Sequence, residues 1–448
     1  MITSITLQNF RAFQSEISVR IRPITVLIGK NSAGKSSLIK FLLMLRQTLE
    51  SQSDEFFVTD GKYVQLGTWI DSRHTRAREI PFLNNNFRYK IDLKTSDLPP
   101  SEMRQLWEAA ASGRLVTTVG HKQFLNVELK KEPIVREPAV VSFQIRGRVF
   151  YGKKFKSGDH EVEGRIGEQI MFKKTATNLE RASFLRFVSR SDSIDKLIES
   201  TAAERFLEPL RYEFLSQRHL SPVREESQKT VQTGSPPSSD VGDRGEYAIP
   251  HLVRIFASPA SRKEADFITE YAGRVADIEG IKFSSQVARF LTHIKARNRQ
   301  TDAVSSLADF GFGVSQCLPI FVQGAMQHPG QLLMVEQPEA QLHPTAQLEM
   351  GSFFADLWKK REVPSLVETH SGNILLRLRR LVKERILTPE DVSVAFFTIG
   401  ESSAKRGKPF KTVVVKNLDI NDDGSMSKGL PMEFFGADVL EALELGAR

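Results

Sequence analysis

Residues Gly29-Lys-Asn31-Ser-Ala-Gly34-Lys35-Ser36-Ser37 have the spacing of a loop that cradles a polyphosphate, with two glycines bracketing four residues before a lysine and a hydroxyl. The glycines let consecutive backbone N–H groups approach phosphate oxygens, and a helix starting here would add the positive end of its dipole. Lys35 is expected as a surface point charge reaching the β and γ oxygens, and Ser36 as a hydroxyl ligand for magnesium. A nucleotide triphosphate with magnesium, ATP in the first instance, is the ligand this chemistry suits.

Such a loop needs an acidic partner at the end of a second apolar strand. Leu332-Leu-Met-Val335 runs into Glu336, then Gln337-Pro-Glu339-Ala-Gln341-Leu-His343-Pro344, and a further apolar run ends in Glu368-Thr-His370-Ser371. Glu336 is the expected magnesium carboxylate. Gln337 follows where a water-activating base would be useful, yet an amide accepts no proton at neutral pH. Chemistry is then slow, or Glu339 or His370 serves instead. The segment Gly311-Phe-Gly313-Val-Ser315-Gln316 reads as the opening of a helix whose free N–H groups at Ser315 and Gln316 could meet an anion. Without a ligand it is simply a glycine-containing helix cap.

The elements that must hold these residues follow from periodicity. Ile2 to Arg20 reads as two short strands, Ile24 to Ile28 as an apolar strand entering the glycine loop, and Ser36 to Leu49 as a helix. Phe87 to Phe172 alternates as β structure, Asn178 to Leu215 reads as helical, Gln228 to Gly245 as a loop, and Ala248 to Arg297 as mostly helical. After Gly311 come a helix, the strand Leu332 to Val335, a helix from Thr345, a strand at Ser365 to Glu368, a helix to Arg385, strands at Val392 to Ile399 and Lys411 to Leu418, and a short terminal helix. The expected fold is α/β: a P-loop head with a mixed sheet, in which residues 1–50 form an N-terminal lobe, 51–300 a β-rich then helical insertion, and 301–448 a C-terminal lobe. No sustained heptad predicts a long coiled coil.

With 40% apolar residues among 448, the chain can bury a large core without disulfides, and its single cysteine, Cys317, fits a reducing compartment such as the cytoplasm. No signal peptide or membrane span is read, so no membrane partner is expected. The net charge of +8 leaves contact with DNA open. Basic residues gather at Arg146 to Lys174 and at Arg377 to Arg385, where the plain reading is a solvated face. Asp419-Ile-Asn421-Asp422-Asp423-Gly424 imitates the start of a calcium loop, but Leu430 stands where a bidentate glutamate is needed, so a turn is expected. We find no nuclease, protease or acyl-transfer constellation.

The segments GKNSAGKSS, DFGFGVSQCLPI, VEQPEAQLHP and ETHS, in this order, resemble those of ABC-type ATPases of the SMC, RecF and OLD group. LSPVREE, DVGDRGEYAIPHL and the tail with LPMEFF resemble stand-alone prokaryotic ATPases encoded in anti-phage defence loci. The resemblance implies that Gly29, Asn31, Gly34, Lys35, Ser36 and Ser37 bind nucleotide, that Gly313, Ser315 and Gln316 form a signature gripping the γ-phosphate held by a second copy, and that Glu336, Gln337, Glu339 and His370 surround the reaction. It also makes Gln65 a candidate glutamine on magnesium and Arg11 a candidate phosphate contact. A homodimer with ATP sandwiched between copies is implied, controlling an effector protein encoded nearby. The alternatives are a RecF-like ATPase that binds DNA directly, and a structural ATP clamp with little turnover. Gln341 departs from the family pattern, which has histidine there.

Overall fold

The computed structural model describes residues 2–8, 10–51, 58–67, 211–212, 214–226, 238–284, 291–402 and 410–427, together with the course of the strands between 85 and 232. The chain opens with β1 (Ile2–Gln8), β2 (Ile17–Arg20), β3 (Ile24–Gly29) and α1 (Lys35–Glu50). It divides into two compact units.

The first unit comprises Met1–Ile21, Asn31–Ser216 and Phe397–Lys416. Its strands after α1 are β4 (Asn85–Lys94), β5 (Arg114–Val119), β6 (Gln123–Glu128), β7 (Val140–Val149), β8 (Gly158–Ile166), β9 (Gln169–Ala176), β10 (Ala182–Ser183) and β11 (Arg186–Phe187). β1, β2, β4, β7, β8 and β9 form an antiparallel sheet of order β2-β1-β4-β7-β8-β9, as the alternation from Phe87 to Phe172 predicts. β10 and β11 stand where the sequence reads a helix; most of the remainder of that stretch lies outside the described residues. Helix α1 buries Leu38, Ile39, Leu42 and Met44, and Phe41 meets Phe10 edge-on with ring centroids 5.4 Å apart.

The second unit comprises Arg22–Lys30, Gln217–Phe396 and Asn417–Arg448. Here lie β12 (Arg218–Leu220), β13 (Thr230–Gln232), α2 (Ala248–Ala257), α3 (Arg262–Ala276), β14 (Ile278–Ser284), β15 (Leu291–Asn298), β16 (Val304–Ser306), α4 (Phe312–Met326), β17 (Leu333–Glu336), α5 (Pro344–Arg361), β18 (Ser365–Glu368) and α6 (Gly372–Lys383). β19 (Val392–Ser402) starts and β20 (Phe410–Leu418) ends in this unit. The central sheet has the order β12-β17-β18-β3-β19-β20, and its β12, β17, β18 and β3 run parallel. Every residue of β3, β17 and β18 is buried. That accounts for their unbroken apolar runs, because helices cover both faces of a parallel sheet. The fold is therefore α/β. The core clusters Ile24, Val26 and Ile28 with Leu333, Val335 and Val367 and with Phe321, Phe353 and Phe354 from α4 and α5.

The reading of Ala248 to Arg297 as mostly helical holds through α2 and α3, to Ala276, after which β14 and β15 follow as an antiparallel pair. Gly280 (φ 70°) makes a bulge there, so the buried Ile278 and Ile281 fall three residues apart, a helix-like spacing inside a strand. β13 also lies within the stretch read as a loop, and the terminal helix lies outside the described residues. Among the described residues the longest helix, α5, has 18 residues, and none is long and apolar enough to cross a membrane.

Candidate functional site

The glycine loop leaves β3 at Gly29 (φ 140°) in the second unit, and Asn31 to Ser37 belong to the first. In the first unit, Ser32 and Gly34 both adopt left-handed backbone, with φ 62° and 95°. Gly34 caps α1, and a Cβ there would sit 2.8 Å from Phe13 Cε1 and 3.1 Å from Ala12 Cβ. Glycine is thus required twice, by backbone and by space. The N–H of Ser37 donates to the Gly34 carbonyl at 3.0 Å, while Asn31 is exposed and Ser36 and Ser37 are half-buried. Lys35 is 3% exposed, which corrects the expectation of a surface charge.

Arg11 sits in the tight turn closed by the Phe13 N–H on the Phe10 carbonyl at 2.8 Å, in left-handed backbone (φ 45°). Its neighbours Ala12 and Phe13 pack on Gly34, so the structure brings Arg11 beside the glycine loop. Gln65 is exposed, bridged to Asp60 in a turn that buried Gln47 of α1 fastens. The Gln47 side-chain oxygen accepts from the N–H groups of Tyr63 (2.9 Å) and Val64 (3.1 Å), and its Nε2 donates to the Val58 carbonyl at 2.9 Å.

In the second unit, parallel pairing aligns Glu336 with Glu368 and Glu368 with Leu27. The ends of β17 and β18 and the exit of β3 therefore share one edge of the sheet, the carboxyl-end edge where open α/β sheets place ligands. Glu336 is buried, and its Oε1 lies 2.9 Å from His219 Nε2, while His219 Nδ1 lies 3.1 Å from Asp243 Oδ1. Burial alone would depress this imidazole, but the two carboxylates outweigh it and hold the ring at about 9, above the ordinary 6.5. A folded-state pKa raised in this way gives stability that is complete below pH 6.5 and is lost as pH rises through about 9. The metal-free protein is expected to show a falling melting temperature across that window, and His219→Gln to flatten the fall; equal slopes for both proteins would refute the pairing.

The turn after β17 is fixed from several sides. Gln337 is left-handed (φ 46°), with its N–H donating to the Glu368 carbonyl at 2.7 Å. Glu339 Oε2 accepts from the Thr369 hydroxyl and Oε1 from the His370 N–H, both at 2.7 Å. Burial raises its pKa against the opposing pull of these donors. Both Glu339 oxygens are thus engaged in holding the turn that presents the exposed His370. His343 caps α5, its ring accepting from Thr345, which gives it a structural role. Gln341 is exposed and left-handed (φ 62°), and a Cβ on Gly313 would stand 3.1 Å from its carbonyl oxygen.

The signature segment differs from expectation in its start. α4 begins at Phe312 with Gly311 (φ 90°) as its cap, so the N–H groups left free by the first turn are those of Phe312 to Val314. Ser315 and Gln316 lie deeper in the helix and are buried. The basic run on α6 is largely used within the unit: Arg377 donates to Ser352 Oγ (2.8 Å), Arg379 to the Gly424 carbonyl (2.8 Å) and Arg380 to Glu384 (2.7 Å). The calcium-loop lookalike is a turn, with Gly424 left-handed (φ 77°). No group of three metal-ligating side chains occurs among the described residues.

Sequence reasoning gave no role to Arg224 or His219. Arg224 is 2% exposed; its Nη2 donates to the Glu336 carbonyl at 2.5 Å, and its Nη1 to the carbonyls of Gln316 (3.3 Å) and Gln337 (3.5 Å). The one signal was the run LSPVREE, which starts at the last residue of β12 and contains Arg224.

Residues 1–145 match the family profile described as an AAA ATPase domain. This places the glycine loop and α1 within a recognised ATPase-domain sequence. No protein of curated function matches the chain. Solved structures similar to it include an SmcHead bound to the C-winged helix domain of ScpA, at 11% identity over 94% of this chain and 98% of that one, TM-score 0.44. The SMC head domain from Thermotoga maritima matches at 8% identity over 92% and 98%, TM-score 0.36. The Smc head domain with an extended coiled coil bound to the C-terminal domain of ScpA, from Pyrococcus furiosus, matches at 10% identity over 100% and 99%, TM-score 0.40.

Proposed function

We propose that this protein binds ATP with magnesium, hydrolyses it slowly, and closes into a homodimer on ATP. In this reading the closure controls a separate effector, a nuclease encoded nearby in a prokaryotic anti-phage defence locus. The observation carrying the ATP assignment is the shared sheet edge, where β3 exits into the glycine loop and β17 ends in Glu336. Lys35 and the loop N–H groups bind the phosphates. Ser36 and Glu336 offer hard oxygen donors, the set that suits magnesium, which when bound would offset charge on the phosphates. Gly313 and the N–H groups that open α4 serve the γ-phosphate held by the other copy.

Hydrolysis requires water to attack the γ-phosphorus as ADP departs, with the water's proton passing to an acceptor. Gln337 cannot take it, and both Glu339 oxygens are engaged, which leaves His370 as the acceptor this chain offers. His370→Ala is expected to lower turnover by roughly 100-fold or more, and Glu339→Gln to lower it less by loosening the His370 turn. Gln337→Glu is expected to raise it. Phosphate release by the three variants decides this, and unchanged turnover in the first two would remove both groups from the reaction.

Dimerisation is tested by light scattering. The mass should double with ATP and magnesium and stay monomeric for Lys35→Ala, and a monomer under both conditions would overturn the closure. Co-purification with products of the neighbouring genes, with and without ATP, tests effector control. Gln337 also favours a second reading, an ATP clamp with little turnover, which ATP-dependent association without measurable phosphate release would select.

A further inference from the structure

Among the described residues Arg224 makes no hydrogen bond to a carboxylate, although the charges of Glu339 and Glu336 lie near enough to favour its cationic form. It is buried, its Nε has no hydrogen-bond partner, and the three bonds from its terminal nitrogens go to main-chain oxygens. Burial outweighs these charges and pulls the guanidinium down to about 10, so an apolar residue of similar volume would fill the space at less expense. Its use therefore lies in what the planar fork can do that an apolar residue cannot, which is to bind oxygens of two separate segments at once.

Those segments are the first turns of α4, through the Gln316 carbonyl, and the exit of β17, through the carbonyls of Glu336 and Gln337. The link is reciprocal, because Gln316 Nε2 donates back to the Arg224 carbonyl at 3.4 Å. The loop carrying Arg224 is itself fastened on both sides: the Ser221 N–H donates to the Asp243 carbonyl and the Glu225 N–H to the Arg244 carbonyl, each at 2.8 Å. A further contact ties the same two segments, since Gly313 of α4 closes on the Gln341 carbonyl.

We propose that Arg224 is a positioning residue that locks the start of α4 to the exit of β17, so that the two turns shift as one piece. The consequence for closure rests on the function proposed above, in which one turn serves the γ-phosphate held by the other copy and the other serves magnesium. With the lock in place, a change at Glu336 moves the surface around Gly313. Without it, ATP binding at the glycine loop no longer reaches that surface.

Two measurements separate this proposal from the function on which it rests. Hydrogen exchange compares wild type with Arg224→Lys, whose single ammonium cannot bridge both segments, in the absence of nucleotide. The hydrogen-bonded amides of residues 315–317 and 337–342 are expected to gain exchange together, by roughly 10-fold, while those of α6 stay unchanged. A gain confined to one segment, or in neither, overturns the lock whatever the oligomeric state.

Calorimetry and light scattering then compare wild type, Arg224→Lys and Arg224→Met. ATP affinity is expected to stay within about 3-fold, while ATP-dependent association weakens by at least about 10-fold, less for Lys than for Met. Folded variants that associate like wild type overturn the proposed coupling, and if Arg224→Met does not fold, Arg224→Lys alone decides. A wild-type chain that binds ATP without associating overturns the dimer reading and leaves the exchange result standing by itself.

Discussion

Lys35→Ala is expected to weaken ATP binding by about 100-fold, close to 3 kcal/mol. Lys35 is the first residue of α1, directly after left-handed Gly34, where helix N–H groups and an ammonium together suit an anion. A charge-assisted hydrogen bond to phosphate contributes about 1.5–3 kcal/mol in a site shielded from water, and Lys35 is buried, so the upper end applies. Because it is buried, truncation is also expected to lower the melting temperature by a few degrees, about 1 kcal/mol of stability. Titration calorimetry on protein shown to be folded by circular dichroism measures both effects. Affinity equal to wild type would mean that the loop at 29–37 does not bind the nucleotide.

Glu336→Gln is expected to reduce phosphate release by at least about 100-fold, since a metal's stabilisation of transition-state charge amounts to several kcal/mol. The amide keeps the shape of the side chain but loses the negative charge that magnesium requires, while the loop at 29–37 remains to bind ATP. ATP affinity measured without magnesium should therefore be near wild type. The substitution also removes one of the two carboxylates beside His219, so folding stability should fall by about 1–3 kcal/mol. Turnover within about 3-fold of wild type would exclude Glu336 from the magnesium role.

The parts of this chain legible in its sequence are those whose cause is local. ITVLI before Gly29 and LLMV before Glu336 were recognisable because strands covered on both faces are apolar at nearly every position. Gly34 was recognisable because its backbone angle admits little else. Glu339 was legible as a member of the site but not in its task, because Thr369 and His370, which occupy its oxygens, come from the next strand's exit. His219 and Arg224 carried no local signal strong enough to mark them. Their partners Glu336 and Gln316 lie about a hundred residues along the chain, and only the parallel pairing of β12 with β17 brings them close. The β14–β15 pair was misread for a different reason: one bulge at Gly280 gave a strand the spacing of a helix.

The place of β3 in its sheet has a consequence for how the protein is made. β3 is synthesised long before its neighbours on either side, β18 and β19, so Ile24 waits for Ser365. At ordinary translation speeds that interval is roughly 20–70 s. Throughout it a strand whose every position is buried in the finished sheet has no partner. The central sheet is therefore completed only after β18 and β19 have left the ribosome, and nascent chains that end before β18 present an aggregation-prone edge that holding chaperones would cover.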